Sequence, residues 1–261
     1  MRQIVLLKDI PDLSEIKVDS ETRAPKVEGV KRRISDLDKR ALEAAIRVKE
    51  AAGGEVVALS LGDEKTRTSM LEALAMGADS AYVVDDPAFR GLDANATSLV
   101  LAAALKKIGG FDLVLAGEMT LDSLGSQVGP RVAELLDLPQ LTYAKEVSVA
   151  EGRVRAVVDL EDVDEVAEAG LPALVTVVRE INEPRIPSLI NIMKAKKKPL
   201  VAWAAPDLGL DTGAVRAASH VKVLSVTAPK VERKQIRVEA DSAEEAAAKL
   251  AQLLVGEGVV K

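Results

Sequence analysis

Residues 117–130 read G-E-M-T-L-D-S-L-G-S-Q-V-G-P, and this stretch decides the fold class. It follows an apolar run at 111–116, F-D-L-V-L-A, and precedes a helical pattern at 131–136, R-V-A-E-L-L. A strand that ends in a loop of small residues and then opens a helix is how α/β proteins hold phosphate, because loop amides and the positive end of the helix face one anion. The same letters also fit an ordinary loop with Ser126 as a helix cap. On this stretch alone the two interpretations carry equal weight.

Strand-like and helix-like segments alternate before this loop. Apolar runs predict strands at 3–7, 55–61, 81–84 and 112–116, and helical spacing predicts helices at 39–52, 64–76 and 94–108. The alternation predicts an α/β fold, a doubly wound and mostly parallel sheet of Rossmann-like, adenine-nucleotide-binding type. Runs at 143–149 and 153–160 flank a turn and predict an antiparallel β addition, followed by a buried strand at 173–178.

Beyond residue 198 the regular alternation of strand-like and helix-like segments ends. Residues 204–213 read as loop, residues 221–226 as a short strand, and residues 241–254 as a capped helix. This part has too few predicted elements to form a hydrophobic core of its own. The sequence therefore predicts a nucleotide-binding α/β domain at 1–198 and a C-terminal extension, or arm, at 199–261 that packs on a partner.

The composition excludes several classes of protein. The chain has 261 residues and a net charge of −6, which argues against a nucleic-acid binder. It has no cysteine and a single histidine, His220, so thiolate nucleophiles, multi-histidine metal sites and a Ser-His-Asp triad are out. We therefore predict no catalytic side chain and no metal, and assign any redox chemistry to a bound organic cofactor. No apolar run suits a signal peptide or a membrane span, so no membrane insertion and a cytoplasmic location are expected.

A second unusual stretch, residues 183–199, reads E-P-R-I-P-S-L-I-N-I-M-K-A-K-K-K-P. It sets apolar side chains beside five positive charges on an acidic protein, a combination that suits docking to a protein partner. The plainer alternative, in which the apolar residues are core and the lysines are solvated, is slightly favoured on composition alone. The acidic run at 161–165, E-D-V-D-E, lacks the glycine and the terminal glutamate of a calcium loop, and is predicted to be a solvated turn.

Together these stretches resemble the beta subunit of electron-transfer flavoprotein. The matching segments keep one order over most of the chain: 5–12 (V-L-L-K-D-I-P-D), 41–50, 71–79 (L-E-A-L-A-M-G-A-D), 112–139, 171–176 (L-P-A-L-V-T) and 182–199. The last of these, with N-E-P-R followed by M-K-A-K-K-K, is highly specific.

The resemblance implies a heterodimer with an alpha subunit, on which the extension at 199–261 packs. Its redox FAD lies mainly in the alpha subunit, and the beta subunit buries a second nucleotide. Such a protein is an electron carrier rather than a self-contained enzyme, and it passes electrons between dehydrogenases or a quinone oxidoreductase and an acceptor.

The resemblance also implies two sets of site residues. The cofactor-binding set is Leu6, Lys8, Ser35, Asp36, Leu37, Asp38, Leu61, Gly117, Glu118, Met119, Thr120, Leu121, Asp122, Ser123, Leu124, Gly125, Ser126, Gln127 and Val128. The partner-docking set lies in a recognition loop at 183–198 and is Arg185, Leu189, Ile192, Met193, Lys194 and Lys197.

The family has two branches that hold different nucleotides in the beta subunit, so the identity of the second nucleotide stays open. In the ordinary type the beta pocket holds AMP and the loop carries an N-Q-T-G run. The Q-V-G-P and P-R-x-P-S forms here look more like the electron-bifurcating type, in which a second FAD takes a hydride from NADH. That type usually reads D-G-D-T-A-Q-V-G, and Ser123 and Leu124 replace its G-D. An ATP- or AMP-binding regulatory module of universal-stress-protein type is the alternative function, and it would leave the 183–199 stretch unexplained.

Overall fold

The structure, a computed structural model, describes residues 1–160, 162–230 and 233–260. In chain order its strands and helices are β1 (Arg2–Leu6), β2 (Asp9–Pro11), β3 (Lys17–Val18), β4 (Pro25–Lys26), β5 (Arg32–Ile34), α1 (Asp36–Ala52), β6 (Glu55–Gly62), α2 (Thr66–Met76), β7 (Ser80–Asp85), α3 (Ala94–Ile108), β8 (Leu113–Gly117), α4 (Val128–Leu135), β9 (Gln140–Ala150), β10 (Arg153–Asp159), β11 (Asp164–Gly170), β12 (Ala173–Val177), α5 (Leu189–Ala195), β13 (Leu200–Trp203), α6 (Thr212–Ala217) and α7 (Ala243–Gly256).

Within the described residues, one large sheet has nine strands in the order β11-β10-β9-β12-β8-β1-β6-β7-β13. All neighbours from β9 to β13 run parallel, and β9, β10 and β11 form an antiparallel meander at one edge. The predicted α/β sheet and its antiparallel addition are therefore confirmed. From β1 the chain winds outward through β6 and β7 and then returns to β8 on the other side of β1, so the winding direction reverses between β1 and β8.

Helices cover both faces of the sheet because successive residues of a strand point to opposite faces. On β1, Val5 packs with Leu42 of α1 and Met70 of α2, all of them buried. Its neighbour Ile4 faces the other way and packs with Val100 of α3. The central strands are apolar on both faces, as expected for a parallel sheet covered by two helical layers.

The antiparallel edge extends further than the sequence indicated. Strand β11 pairs with β10 from Asp164 onward. The predicted acidic turn is therefore wrong for Asp164 and Glu165, whose backbones gain ladder hydrogen bonds, while Glu161 lies outside the described residues. Charged side chains on this strand are compatible with its position at the rim of the sheet, where one face meets water.

The sheet also takes in a strand beyond residue 198. Strand β13 pairs with β7 in parallel register. Its Trp203 ring lies 4.5 Å from the Tyr82 ring, centroid to centroid, and the Lys107 Nζ lies 5.2 Å from the Trp203 centroid. The segment that directly follows residue 198 is therefore part of the main sheet.

The predicted loop at 204–213 is wrong in its middle and at its end. A 3-10 turn spans Ala205–Leu208, and α6 begins at Thr212. The Asp207 carboxylate accepts a hydrogen bond from the Ala204 amide at 2.8 Å, and Asp211 caps α6 by accepting from the Ala214 amide at 2.9 Å. Aspartates that favour loops also cap helices, so composition alone did not separate the two cases.

From residue 221 onward none of the described residues is buried. The predicted strand at 221–226 is wrong: no strand pairs with it, and Leu224 is 87% exposed. The predicted C-terminal helix is confirmed as α7, which begins after Ser242, whose Oγ accepts from the Glu245 amide at 3.1 Å. The arm therefore leaves the body of the molecule with its apolar side chains uncovered.

Candidate functional site: a crevice at the switch in winding direction

The predicted nucleotide segments meet where β1 and β8 end. The ladder between these strands stops at the pair Val5 and Leu115. In doubly wound sheets, ligands bind outside the carboxyl ends of the two strands between which the winding reverses. Leu6 ends β1 and Lys8 follows it, and the predicted nucleotide loop follows β8. The start of α1 lies beside them.

Asp38 joins the two strand ends. Its buried carboxylate accepts from the Lys8 amide at 2.7 Å through Oδ2 and from the Gly117 amide at 3.1 Å through Oδ1. Burial raises the pKa of Asp38 to about 7, although both amide hydrogen bonds and the charge of Lys8 favour the carboxylate. The sequence interpretation assigned Asp38 to the start of α1, and its contact with the sheet emerges only from the fold.

Lys8 connects the same point to the loop. Its Nζ lies 2.7 Å from Oδ2 of Asp122 and 3.5 Å from Oγ1 of Thr120, whose hydroxyl pairs with Ser123 at 3.0 Å. Burial opposes the charge of Asp122, but the hydrogen bonds from Lys8 and Thr120 outweigh it and lower the pKa of Asp122. The lysine and the loop therefore form one polar cluster at the mouth of the crevice.

Gly117 has no room for a side chain. A Cβ there would lie 2.7 Å from Oδ1 of Asp38 and 2.8 Å from Cβ of Leu37. The loop can start this close to α1 only because residue 117 is glycine. Gly125, farther along the loop, has open space around its Cα.

Ser35, just before α1, has a buried hydroxyl with no hydrogen-bond partner among the described residues. Buried polar groups in proteins nearly always have a partner, so this hydroxyl fits a polar group that arrives with a ligand. Asp36 instead pairs with Arg33 at the surface. Leu6 is buried, and Leu61 packs against the same apolar cluster at the adjacent strand end.

The rest of the loop is only partly covered. Glu118, Met119 and Leu121 are half-buried, and burial together with the nearby charges of Glu180 and Asp159 raises the pKa of Glu118. Leu124 and Ser126 adopt positive φ angles of 49° and 50°, which residues other than glycine rarely do. Such conformations cluster at ligand-binding loops.

Helix α4 begins one residue later than predicted, with Gln127 rather than Ser126 at the cap position and Val128 as its first residue. The Gln127 side-chain oxygen accepts from Nε and Nη2 of Arg131, at 3.2 and 3.1 Å. Arg131 also donates to Oδ1 of Asn95 at 3.0 Å. The sequence interpretation missed these two residues, which orient the Gln127 amide.

The predicted recognition loop forms a short helix, α5, that packs against α2. Leu189 is 81% exposed, and Ile192 and Met193 are exposed beside it, together with Lys194 and Lys197. Ala195 is buried and seats the helix. The alternative in which these apolar residues are core is therefore wrong.

Arg185 lies at the base of this loop and holds it to α1. Its guanidinium contacts Glu43 at 2.8 Å and Glu50 at 2.6 Å. At the other end, Nζ of Lys198 donates to the carbonyl oxygens of Leu74 and Ala78, at 2.9 and 2.6 Å. Glu43 and Glu50 were missed, although their seven-residue spacing on a predicted helix places them on one face.

No helix among the described residues is long and apolar enough to cross a membrane. No group of three or more histidine, cysteine, aspartate or glutamate side chains in the same residues has an arrangement suited to a metal ion.

Comparison with known proteins gives a consistent family. Residues 26–208 match the electron transfer flavoprotein domain. The chain is 39% identical to an electron transfer flavoprotein subunit beta of Thermoanaerobacterium thermosaccharolyticum, over 89% of this chain and 90% of that protein. It is 40% identical to the caffeyl-CoA reductase-Etf complex subunit CarD of Acetobacterium woodii, over 80% of each chain. It is 35% identical to protein FixA of Sinorhizobium fredii, over 98% of this chain and 92% of that protein.

The family match at residues 26–208 includes β8 and α5, and the first two relatives cover at least four-fifths of this chain. Agreement at this level of identity and coverage extends to the fold and to the role in electron transfer. The chain belongs to the electron transfer flavoprotein family, among its beta subunits.

Proposed function

We propose that this chain pairs with an alpha subunit and holds an adenine nucleotide in the crevice between β1 and β8. The nucleotide is either AMP or the adenine part of a second FAD. The observation that carries the proposal is the meeting of Asp38, Lys8 and Gly117 at the switch in winding direction, beside the unpartnered hydroxyl of Ser35. Such a crevice is where doubly wound folds bind nucleotides.

The residues present fit such a group. The first turn of α1 and the first turn of α4 both border the crevice, and helix amino ends favour phosphate. Asp122, tied to Lys8 at 2.7 Å, offers a second oxygen to a ribose hydroxyl. A flavin bound to the assembled protein would supply the redox chemistry, and this chain would position it and exclude water.

Two exposed apolar surfaces, the arm from residue 221 and α5, suit contacts with partner proteins. The arm from residue 221 carries exposed apolar residues, among them Val223 and Leu224, and α7 has no buried residue. We assign this surface to the alpha subunit. We assign α5, with its exposed Leu189, to a dehydrogenase or quinone oxidoreductase that exchanges electrons with the heterodimer. A cytoplasmic location is part of the same proposal.

Cofactor analysis of the heterodimer tests the proposal. The full-length chain is co-expressed with its alpha subunit, purified and assayed for flavin and for AMP. One FAD and one AMP per heterodimer would indicate simple electron transfer. Two FAD would indicate bifurcation, with NADH as the reductant to test next. A heterodimer without flavin, or a stable homodimer that binds ATP and no alpha subunit, would contradict the proposal.

The docking surface on α5 makes a separate prediction. Leu189→Ala removes an exposed apolar contact, so electron exchange with the dehydrogenase partner should slow by about tenfold or more, as for other interface anchors. Flavin content and thermal stability should not change, because the side chain is 81% exposed. Val163→Ala, at a 60% exposed apolar residue beside the far edge strand, is the matched control. Equal rates for wild type and Leu189→Ala would remove α5 from the docking surface.

A further inference from the structure

The side chain of Asp38 has a position that the start of a helix does not require. It is the third residue of α1, yet its carboxylate turns away from the helix amides and accepts from Lys8 and Gly117. The ladder between β1 and β8 has already stopped at Val5 and Leu115. The carboxylate therefore bridges the two strands beyond the point where their backbones hydrogen-bond to each other.

Both amides that it holds lead into the crevice. The side chain of Lys8 continues to Asp122 at 2.7 Å, and Gly117 is the first residue of the predicted nucleotide loop. Gly117 also pairs with Val177 of β12, and the next amide, that of Glu118, donates to the Val177 carbonyl oxygen at 3.0 Å. The start of the loop is therefore held between Asp38 and β12. Losing the carboxylate would remove one hydrogen bond from each of the two strand ends at once.

We propose that Asp38 is a positioning residue for the bound nucleotide, because its carboxylate spans β1 and β8 and fixes Lys8 and the start of the loop. The inference rests on the proposed function, in which the crevice holds that nucleotide. Each oxygen accepts one of the two hydrogen bonds, and the ionised side chain is the form in which both oxygens act as acceptors only. Protonation would place an O–H donor opposite an amide donor, and one of the two hydrogen bonds would be lost.

The hydrogen bonds from Lys8 and Gly117 to Asp38 should depend on pH near neutrality, because the Asp38 carboxylate takes up a proton there. The group is 4% exposed, and burial raises its pKa to about 7. The charged groups that face it are Lys8, which lowers that pKa, and Asp122, which raises it. The carboxylate is present above about pH 7 and is protonated as the pH falls, so nucleotide binding should weaken in acid.

Folding stability should respond in the opposite direction. An acid whose pKa is raised in the folded state binds its proton more tightly there than in the unfolded chain, so its contribution to stability improves as the pH falls. Binding and stability thus change with opposite signs over the same pH range. A residue with a merely structural role would change them together.

Calorimetric titration with AMP measures the effect, since AMP is also a part of FAD and fits either occupant. The protein is the full-length heterodimer with the beta site emptied, compared at about pH 8 and pH 6. Wild-type affinity should fall by about tenfold, the loss of one hydrogen bond to a charged group. Asp38→Asn should bind about tenfold more weakly at the higher pH and show only the pH change that the phosphate of AMP itself causes.

Asp112→Asn is the matched control. Asp112 makes the same kind of bond between the same two strands at their opposite, amino-terminal ends, accepting from the Arg2 amide at 2.7 Å. The affinity of the Asp112→Asn variant for AMP, and the pH profile of that affinity, should equal those of wild type. If wild type binds AMP and Asp38→Asn has the same affinity and the same profile, the inference is wrong and the nucleotide site stands. If wild type binds no AMP at either pH, the nucleotide site falls, and the inference with it.

Discussion

At the residue scale, the crevice depends on a few atoms whose positions are mutually constrained. Asp38 lies on α1, Gly117 ends β8 and Lys8 follows β1, and hydrogen bonds of 2.7 and 3.1 Å tie the last two to Asp38. The Lys8–Asp122 pair adds a contact that is partly exposed, so its share of the stability is small. The buried contacts therefore set the geometry, and the exposed pair adjusts the loop.

Gly117→Ala tests how tightly the loop is seated. The new Cβ would approach Leu37 and Asp38 within 2.8 Å, so backbone must move, and overpacking of this kind costs about 1–3 kcal/mol. Thermal unfolding of the variant should show a lower midpoint than wild type. Gly125→Ala, where a Cβ meets open space, is the control and should leave the midpoint unchanged. Equal midpoints for both variants would mean that the loop is loosely seated.

The sequence predicted this site in part. The loop at 117–128 and the start of α1 were identified from a small-residue pattern and a family resemblance, because both leave marks in consecutive residues. The contact of Asp38 with β1 joins residues that are thirty positions apart, and the contact with β8 joins residues that are 79 apart. No periodicity encodes such a contact, since it depends on how the strands are ordered in the sheet.

At the scale of elements, the recognition loop is a helix clamped at both ends. Arg185 binds Glu43 and Glu50 on α1, and Lys198 binds carbonyl oxygens at the end of α2. Burial opposes the charge of Glu43, but hydrogen bonds from Arg185 and Arg47 outweigh it and lower its pKa. The hydrogen bond from Arg185 also lowers the pKa of Glu50. The exposed middle of α5 is thus presented by a rigid support.

Arg185→Ala should therefore destabilise the protein by about 2 kcal/mol, because the buried Glu43 would keep only Arg47 as a charged partner. The stability from a lowered carboxyl pKa is present above the ordinary value of 4.5 and is lost as the pH falls from there through the lowered pKa of the folded protein. Denaturant unfolding from about pH 7 down to pH 3 should show a smaller loss in the variant than in wild type. Lys197→Ala, at an exposed lysine, should follow the wild-type curve at every pH.

The sequence predicted those elements whose pattern and boundaries are both encoded in consecutive residues. The central strands are buried on both faces, so their apolar runs stand out, and glycines mark the helix ends at Gly53, Gly77 and Gly109. Strands β11 and β13 lie at the rims of the sheet, where half-exposed residues give mixed patterns. The predicted strand at 221–226 had the right alternation and lacked a neighbour to pair with. Strand formation depends on a partner strand, and that partner is not encoded in the strand's own residues.

At the scale of the whole molecule, the chain consists of a packed body and an arm with little contact to it. The arm is tied at its root by the Asp93 carboxylate, which accepts from the His220 and Val221 amides at 2.7 and 3.0 Å. Farther along, the Ala228 amide donates to the Arg23 carbonyl oxygen at 2.9 Å. These few contacts leave most of its apolar surface available to a partner.

Truncation after residue 220 should separate folding from assembly. Since no described residue beyond that point is buried, the unfolding midpoint should change by no more than about 2–4 °C, the equivalent of 1 kcal/mol in a domain of this size. Binding to the alpha subunit, measured by co-purification, should be lost. Truncation after residue 198 is the contrasting case: it removes β13 and the buried Ala205 and Val215, and should prevent stable folding. A stable heterodimer from the shorter arm would show that the arm is dispensable.

Trp203 gives the molecule an optical property. It is the single tryptophan of the chain, and it sits at the rim strand where the body gives way to the arm, against Tyr82 and below Lys107. All tryptophan emission from this subunit therefore comes from one place. A flavin absorbs light in the range where tryptophan emits, so quenching of this built-in fluorophore offers a readout of flavin loading without attaching a label.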